Sequence, residues 1–403
     1  MQRRDFIKGT AMASAFTMLN PFTSVAFGIA EENNILVYIF LRGGMDGLQF
    51  CAPVSDKNYQ TNRNADIRIA ESGAKKGHLL KNSLSNLDFA LHPDAKPLFE
   101  LYQSGKLAIV HASGLTNGTR SHFDAQDIIE KGLAEKKGAL GTGWLARYLN
   151  QQQFTGQIPA LGAQGATPLS LLGYPDVLTM ASPSEFKIYG EENVLKLLEA
   201  TYADADPLLA KNALKTINTV RFLQNKKPSH DQLADYPVAK ARDELGKGLS
   251  SISQLIKMDC GLRVATVDMG GWDTHYAQPY RFNKLIESLS EHLQLFYNSI
   301  PTYQNKVTVV VMSEFGRRFK GNKSNGTDHG HGNAMMVLGG KVNGGKMYGT
   351  WPGLATEQLD HGVDLAITTD YRTVLAEVLA KRMNPKNLIE VFPGVNGSYL
   401  GVV

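Results

Sequence analysis

Asn34-Ile35-Leu36-Val37-Tyr38-Ile39-Phe40-Leu41 is an unbroken apolar, β-branched run, and Arg42-Gly43-Gly44-Met45-Asp46-Gly47 follows it at once. A run of this kind with no polar alternation predicts a central strand buried on both faces. The glycine-rich stop predicts a turn at its carboxyl end, and in open α/β sheets ligands sit just beyond such ends. Asp46 occupies that place. The same grammar recurs along the chain. Leu107–His111 ends in Ala112-Ser113-Gly114, and Leu262–Asp268 ends in Met269-Gly270-Gly271-Trp272. Val307–Met312 ends in Ser313-Glu314-Phe315-Gly316, and Ala334–Leu338 ends in Gly339-Gly340. Helical periodicity fills the gaps over Pro97–Ser104, Tyr280–Tyr297 and Tyr371–Arg382. Strands alternating with helices predict an α/β fold, with a largely parallel central sheet flanked by helices on both faces. Residues from about 191 to 258 are polar, nearly free of strand signals and divided by Pro207, Pro228 and Pro237. They predict a helical insertion or cap.

The first thirty residues read as a leader outside the fold. Arg3-Arg4-Asp5-Phe6-Ile7-Lys8 is followed by an uncharged stretch to about Ala30, with small residues near Ser24-Val25-Ala26. A charged start, a modestly apolar middle and a small-residue end make a signal peptide, and the paired arginines point to twin-arginine export. The expectation is a signal peptide over residues 1–30 and one α/β domain over 31–403, with the twin-arginine translocase as partner during export and a periplasmic or secreted destination. The chain's net charge is +4, and removal of Arg3, Arg4, Lys8 and Asp5 leaves about +2. So small an excess argues against a nucleic-acid partner. No later segment has the apolar run a membrane span needs. Cys51 and Cys260 are the only cysteines, and two readings stand for them, a disulfide or two buried thiols.

Candidate chemistry gathers in short loops after predicted strands. Asp273-Thr274-His275 is one cluster and Asp328-His329-Gly330-His331 another, with Asp46 and Glu314 each directly after an apolar run. A parallel sheet brings such ends together, and oxygen and nitrogen ligands of this type suit Zn²⁺, Mn²⁺ or Fe, with Mg²⁺ or Ca²⁺ where carboxylates dominate. Thr119-Arg120-Ser121-His122-Phe123-Asp124 forms a further group. One reading makes Ser121 a nucleophile beside His122, with Arg120 as a bidentate anion clamp. The other makes Ser121 a helix N-cap with Asp124 three residues on. Arg317 is a second candidate for the anion. Core packing is the expected role of Trp272.

Several of these segments together resemble an exported bacterial family, domain of unknown function 1501. They are Leu41–Leu48, Thr119–Asp124, Gly143-Trp144-Leu145, Ser313–Arg317, Asp328–Gly332 and Thr368–Arg372, and they span nearly all of the chain beyond the leader. That family looks like a branch of the alkaline phosphatase and sulfatase superfamily. The resemblance implies an alkaline phosphatase-like fold, with Asp46 at the end of the first strand, Asp273 and His275 on a first metal completed by His329 or His331, Glu314 at the place of a second-metal ligand, and Ser121 or Thr119 as nucleophile. In the superfamily pattern an Asp-His pair stands where this chain has Glu314-Phe315, and Phe315 cannot ligate. The resemblance therefore implies a reduced site of one metal held by Asp273, His275 and His331. The expected activity is metal-dependent hydrolysis of phosphate or sulfate esters, on an anionic small molecule or a sulfated or phosphorylated glycan. The alternative is a non-catalytic binding protein of envelope or polysaccharide assembly on the same scaffold.

Overall fold

The computed structural model describes residues 33–403 except 74, 82, 137–140, 155, 185, 190–191, 227–235, 238–239 and 396–397. The expected signal peptide and Pro228 lie outside the described residues. Five long or medium strands form where the apolar runs place them: β1 (Ile35–Leu41), β5 (Leu107–Gly114), β8 (Val264–Met269), β9 (Val307–Ser313) and β10 (Asn333–Gly339). Short strands complete the main sheet: β6 (Ala160–Gly162), β7 (Val177–Thr179), β11 (Met347–Tyr348) and β12 (Thr369–Asp370). Its order is β11-β5-β10-β9-β1-β8-β6-β7, with β12 also beside β5. All neighbours run parallel except β10, which is antiparallel to both β5 and β9. A small antiparallel sheet of β2 (Cys51–Pro53), β3 (His78–Leu79) and β4 (Phe89–Leu91) sits apart.

Every residue of β1 is buried, and the two-residue period of a strand splits them between two cores. Ile35, Val37, Ile39 and Leu41 join one cluster; Leu36, Tyr38 and Phe40 join the other. The first core is closed by helix Gln278–Ser299, whose Phe282, Ile286, Leu289, Leu293 and Phe296 recur at helical spacing and are buried. The second is closed by helices His122–Glu130, Trp144–Asn150 and Tyr371–Val378. The stretch 191–258 contains helices Glu192–Ala203, Pro207–Asn225 and Glu244–Lys257. The first two pack on each other around Leu195, Ile217 and Val220. Pro207 opens its helix just after the cap Asp206, a position where its missing N–H has no intrahelical partner to lose. Glu244–Lys257 buries ten residues and packs against β8, so it belongs to the layer covering the sheet. No described helix is long and apolar enough to cross a membrane. Cys51 and Cys260 are both buried and free. Burial raises both thiols, Cys260 up to about 12.

Where β5 meets β10 the register slips by one residue, and Ala112 takes a left-handed φ of 52°. Such a bulge removes an N–H from the ladder, and a buried N–H needs another acceptor. His111 supplies it: Ala112 N donates to Nδ1 (2.9 Å) while Nε2–H donates to the Cys51 carbonyl (2.9 Å). The ring must stay neutral to do both, and burial holds its pKa down at about 4. A histidine depressed in the folded state stabilises fully above its unfolded value near 6.5, and that contribution is lost as the pH falls toward 4. The shift corresponds to about 3 kcal/mol. In urea titrations, the stability gap between the native chain and His111→Gln should narrow by an amount of this order as the pH falls from 6.5 to 4. A gap that stays constant across this window would refute the assignment.

Candidate metal centre

The carboxyl ends of β1, β5, β8 and β9, together with the segment entering β10, meet at one edge of the sheet. One side chain ties them. Arg317, fully buried, donates from Nε to the Gly44 carbonyl (2.8 Å) and from Nη1 to the Thr327 carbonyl (2.9 Å). Its Nη2 reaches the carbonyls of Gly43 (2.6 Å) and Trp272 (3.1 Å) and Asp273 Oδ1 (2.5 Å). The planar guanidinium fork suits such fixed, many-partner binding. The loops approach so closely that Gly43 has no substitute: its φ is +119°, and a Cβ there would lie 2.4 Å from Asp273 N.

Three imidazoles converge on Asp273. Its Oδ1 lies 3.0 Å from His275 Nε2, 3.2 Å from His329 Nε2 and 3.4 Å from His122 Nε2, and the two nitrogens of His275 and His329 are 2.9 Å apart. The other ring nitrogen of each histidine faces an oxygen. His122 Nδ1 donates to Glu314 Oε1 (2.7 Å), His275 Nδ1 to Asp328 Oδ1 (3.1 Å) and His329 Nδ1 to the Arg120 carbonyl (2.8 Å). Carboxylates and carbonyls only accept, so in the neutral rings the proton sits on Nδ1. All three Nε2 lone pairs are then free at Asp273, and His122 Nε2 is buried with no hydrogen-bond partner. Held there without a cation, these lone pairs repel. His122, Asp273 and His329 present ligand atoms all within 4.8 Å of one another. The donor separations match those around one ion of the zinc class, whose ligands lie about 2.0–2.2 Å away. Oxygen partners on the remote ring nitrogens are the usual support of metal-binding histidines.

Charge around the centre is graded. Burial acts to raise Asp273, but the hydrogen bond and charge of Arg317, with His275 and His122 beyond, hold it down at about 2. Burial likewise opposes ionisation of Glu314, yet His122, Gln126 and the Gly43 N–H all donate to it and its pKa stays below the ordinary value. His122 is raised, chiefly by its hydrogen bond to Glu314. His329 is lowered, chiefly by burial. Phe315 closes one wall, its ring 4.8 Å from that of His122 and 5.1 Å from that of His329.

The residues singled out in the sequence divide. Asp273, His275, His329 and His122 stand together, with Glu314 and Asp328 behind them. Asp46 does not face this centre. It caps helix Gly47–Phe50, and its carboxylate, buried, takes a salt bridge from Arg63 and a hydrogen bond from Gln278 Nε2 (2.6 Å). His331 faces a second polar group, with Nε2 3.1 Å from the Leu115 carbonyl and Nδ1 3.0 Å from Asp360 Oδ2. Arg120 is bound there too, to Asp360 (3.1 Å) and to Asp364. Ser121 is the N-cap of helix His122–Glu130, its Oγ accepting from Asp124 N (3.4 Å). Trp272 is buried in the core against Phe282. Sequence reasoning missed Arg63, Gln126, Gln278, Asp360 and Asp364. Their partners lie far away in the chain, as for Arg63 with Asp46 and Asp360 with Arg120, so only the tertiary fold shows their use.

Breaking a buried charged hydrogen-bond set strands its partners and costs about 3–5 kcal/mol. Arg317→Met should therefore lose about that much stability in denaturant titrations. Arg317→Lys, which keeps the charge but not the fork, should lose a smaller share. An effect below about 1 kcal/mol for Arg317→Met, the size of a single net hydrogen bond, would show that the loops hold themselves.

Among solved structures, the chain is similar to Ps i-CgsB in complex with k-i-k-neocarrahexaose, at 9% identity and a TM-score of 0.39, over 90% of this chain and 75% of that one. It is also similar to BT1596, a 2-O GAG sulfatase (10% identity, TM-score 0.34, 88% of this chain and 72% of that one). A third is alkaline phosphatase from the Antarctic bacterium TAB5 (9% identity, TM-score 0.28, 76% and 91%). No curated protein matches the chain. The family model described as "Protein of unknown function (DUF1501)" matches residues 33–387, and the chain belongs to that family.

Proposed function

We propose that the protein is an exported hydrolase of phosphate or sulfate esters that works with a single divalent metal ion. The observation that carries this reading is the convergence of three Nε2 lone pairs on Asp273, each ring fixed by an oxygen partner at Nδ1. His122, Asp273 and His329 would hold the ion, with His275 beside them against Asp273 and His329. An ion of this class supplies Lewis acidity to an ester oxygen and lowers the pKa of a coordinated water toward neutrality. Glu314 keeps the proton of His122 on Nδ1, and Asp328 does the same for His275. Phe315 shuts water out of one side, while the side chains of His275 and Asp273 stay 41% and 46% exposed on the other, leaving room for a substrate. Ser121 Oγ is turned to its helix cap, so water is the proposed nucleophile. The paired arginines at Arg3-Arg4 support export to the periplasm or beyond by the twin-arginine translocase.

The second reading is a non-catalytic protein of envelope or polysaccharide assembly. One observation favours it: Arg120 and Arg317, the arginines best placed in sequence to neutralise an anion, are both held by internal partners.

Purified from its natural compartment, the protein should carry about one equivalent of metal, lose thermal stability on chelation, and cleave an aryl phosphate or aryl sulfate. His329→Ala should abolish metal retention. Glu314→Gln should weaken metal affinity about 10- to 100-fold, the usual effect of losing a partner behind a ligand. Because His122 is raised and a proton competes for its Nε2, metal affinity should fall as the pH drops. Protein free of metal, and indifferent to chelation, would sink the hydrolase reading. Metal retention without any esterase activity, unaffected in partner binding by His275→Ala, would favour the second.

A further inference from the structure

Charge around the metal centre is almost entirely paired. Arg317 is engaged by four carbonyls and Asp273. Arg120 is held by Asp360 and Asp364, and Arg63 by Asp46. Arg42 lies between Asp268 and Glu130. Arg281 reaches the Asp273 carbonyl at 3.3 Å and stacks on Tyr276, 5.0 Å from its ring centre. Two cations differ. Arg318 and Lys320 are exposed, and their side chains make no hydrogen bond or ion pair with any described residue.

Both line one groove of about 240 Å³, together with Asn322, Asp328, Leu359 and Val363. The groove adjoins the metal centre through Asp328, which lines it and holds His275 Nδ1 at 3.1 Å. The Asp328 carboxylate, hydrogen-bonded by His275 and Asn322 Nδ2 (3.2 Å), keeps its negative charge, so the groove sets two cations against one carboxylate. The backbone of Arg318 is fixed as well, its N–H donating to the Asp328 carbonyl at 3.0 Å, so its side chain leaves from a rigid base. Leu359, which is buried, and Val363, which is 38% exposed, give the lining an apolar part.

We infer that this groove is the substrate's anion subsite, in which Arg318 and Lys320 bind the oxyanion of a compact organic phosphate or sulfate whose apolar face rests on Leu359 and Val363. The inference rests on the proposed hydrolase reading and assigns to Arg318 the role that sequence spacing gave to Arg120 or Arg317. Arg318 is a specificity-determining residue here, not a metal ligand.

The test uses phenylphosphonate, which has the charge and the ring but no ester to cleave, and its uncharged dimethyl ester as control. Calorimetry on the full chain, with zinc added and after stripping, measures both ligands, and metal content is measured alongside. Phenylphosphonate should bind and the dimethyl ester should not. Arg318→Ala should weaken phenylphosphonate binding about tenfold, as expected for one charge-assisted contact. Arg318→Glu should weaken it further, and Arg318→Ala with Lys320→Ala should nearly abolish it. Both positions are exposed, so these variants should fold and hold zinc like the native chain. Added salt should raise Kd. The inference is overturned if the native chain does not bind phenylphosphonate, if the dimethyl ester binds equally, or if the Arg318 variants bind as the native chain does. Its fate is separable from that of the hydrolase reading. Arg318-dependent binding to a chain that never takes up metal overturns only the latter. Full zinc occupancy with binding indifferent to Arg318 overturns only the former.

Discussion

Arg317 keeps a full positive charge where no solvent reaches it, and the neighbourhood is arranged to make that tolerable. A buried guanidinium is costly unless each donor finds an oxygen. Here the oxygens come from the turn after β1, from the turn after β8 and from the segment that leads into β10. These pieces are far apart in the chain, and beyond the strands only a few backbone bonds join them, such as Trp272 N to the Arg42 carbonyl (3.3 Å) and Thr327 N to the Thr274 carbonyl (3.2 Å). Satisfying the arginine fixes their mutual position, and Asp273 is fixed with them through the same Nη2. The glycines at 43 and 330 let the backbones come near enough: a Cβ at Gly330 would sit 2.3 Å from the Arg317 carbonyl carbon. Arrangement of the imidazoles follows from this constraint.

Internal pairing of charge recurs nearby. Asp46, the acidic residue at the end of the central strand, is neutralised by Arg63 and bound by Gln278 inside the protein. Gln278 also accepts from Thr274 (3.0 Å) and Thr327 (2.5 Å), so it links Asp46 to the loops that flank the metal centre. An aspartate paired in this way supports the floor of the site without having to hold a metal. Glu314, at the end of the adjacent strand β9, has a comparable role. It gathers the Gly43 N–H, His122 and Gln126, and Gln126 in turn meets Arg42 (3.0 Å).

Much of the architecture is legible in the sequence because β1, β5, β8, β9 and β10 are nearly pure apolar runs with polar stops. Nothing but a doubly covered sheet accommodates them. The positions of Asp273, His275 and His329 at one edge follow from that topology. What spacing does not decide is which histidine of His329-Gly330-His331 turns inward. Both can reach a backbone carbonyl of the segment 115–120; His329 takes that of Arg120 and His331 that of Leu115. The flexible glycine between them leaves the choice to tertiary contacts. His122 is ambiguous for a related reason. Its segment fits a helix start so well that the local pattern is fully explained by Ser121 and Asp124, and only the position of Glu314 across the sheet edge reveals its other use. Arg120 shows the converse, since Asp360 and Asp364 lie about 240 residues further on in a loop without strand signals.

The two thiols bear on the chain's life history. Cys51 and Cys260 lie in the interior with their acidity suppressed, and the thiolate rather than the thiol is the reactive form. With no crosslink to close, the fold can be completed in a reducing cytosol without any oxidant or isomerase. The same protection persists if the finished molecule later meets an oxidising medium. Such a molecule suits a transport machinery that accepts its cargo already folded.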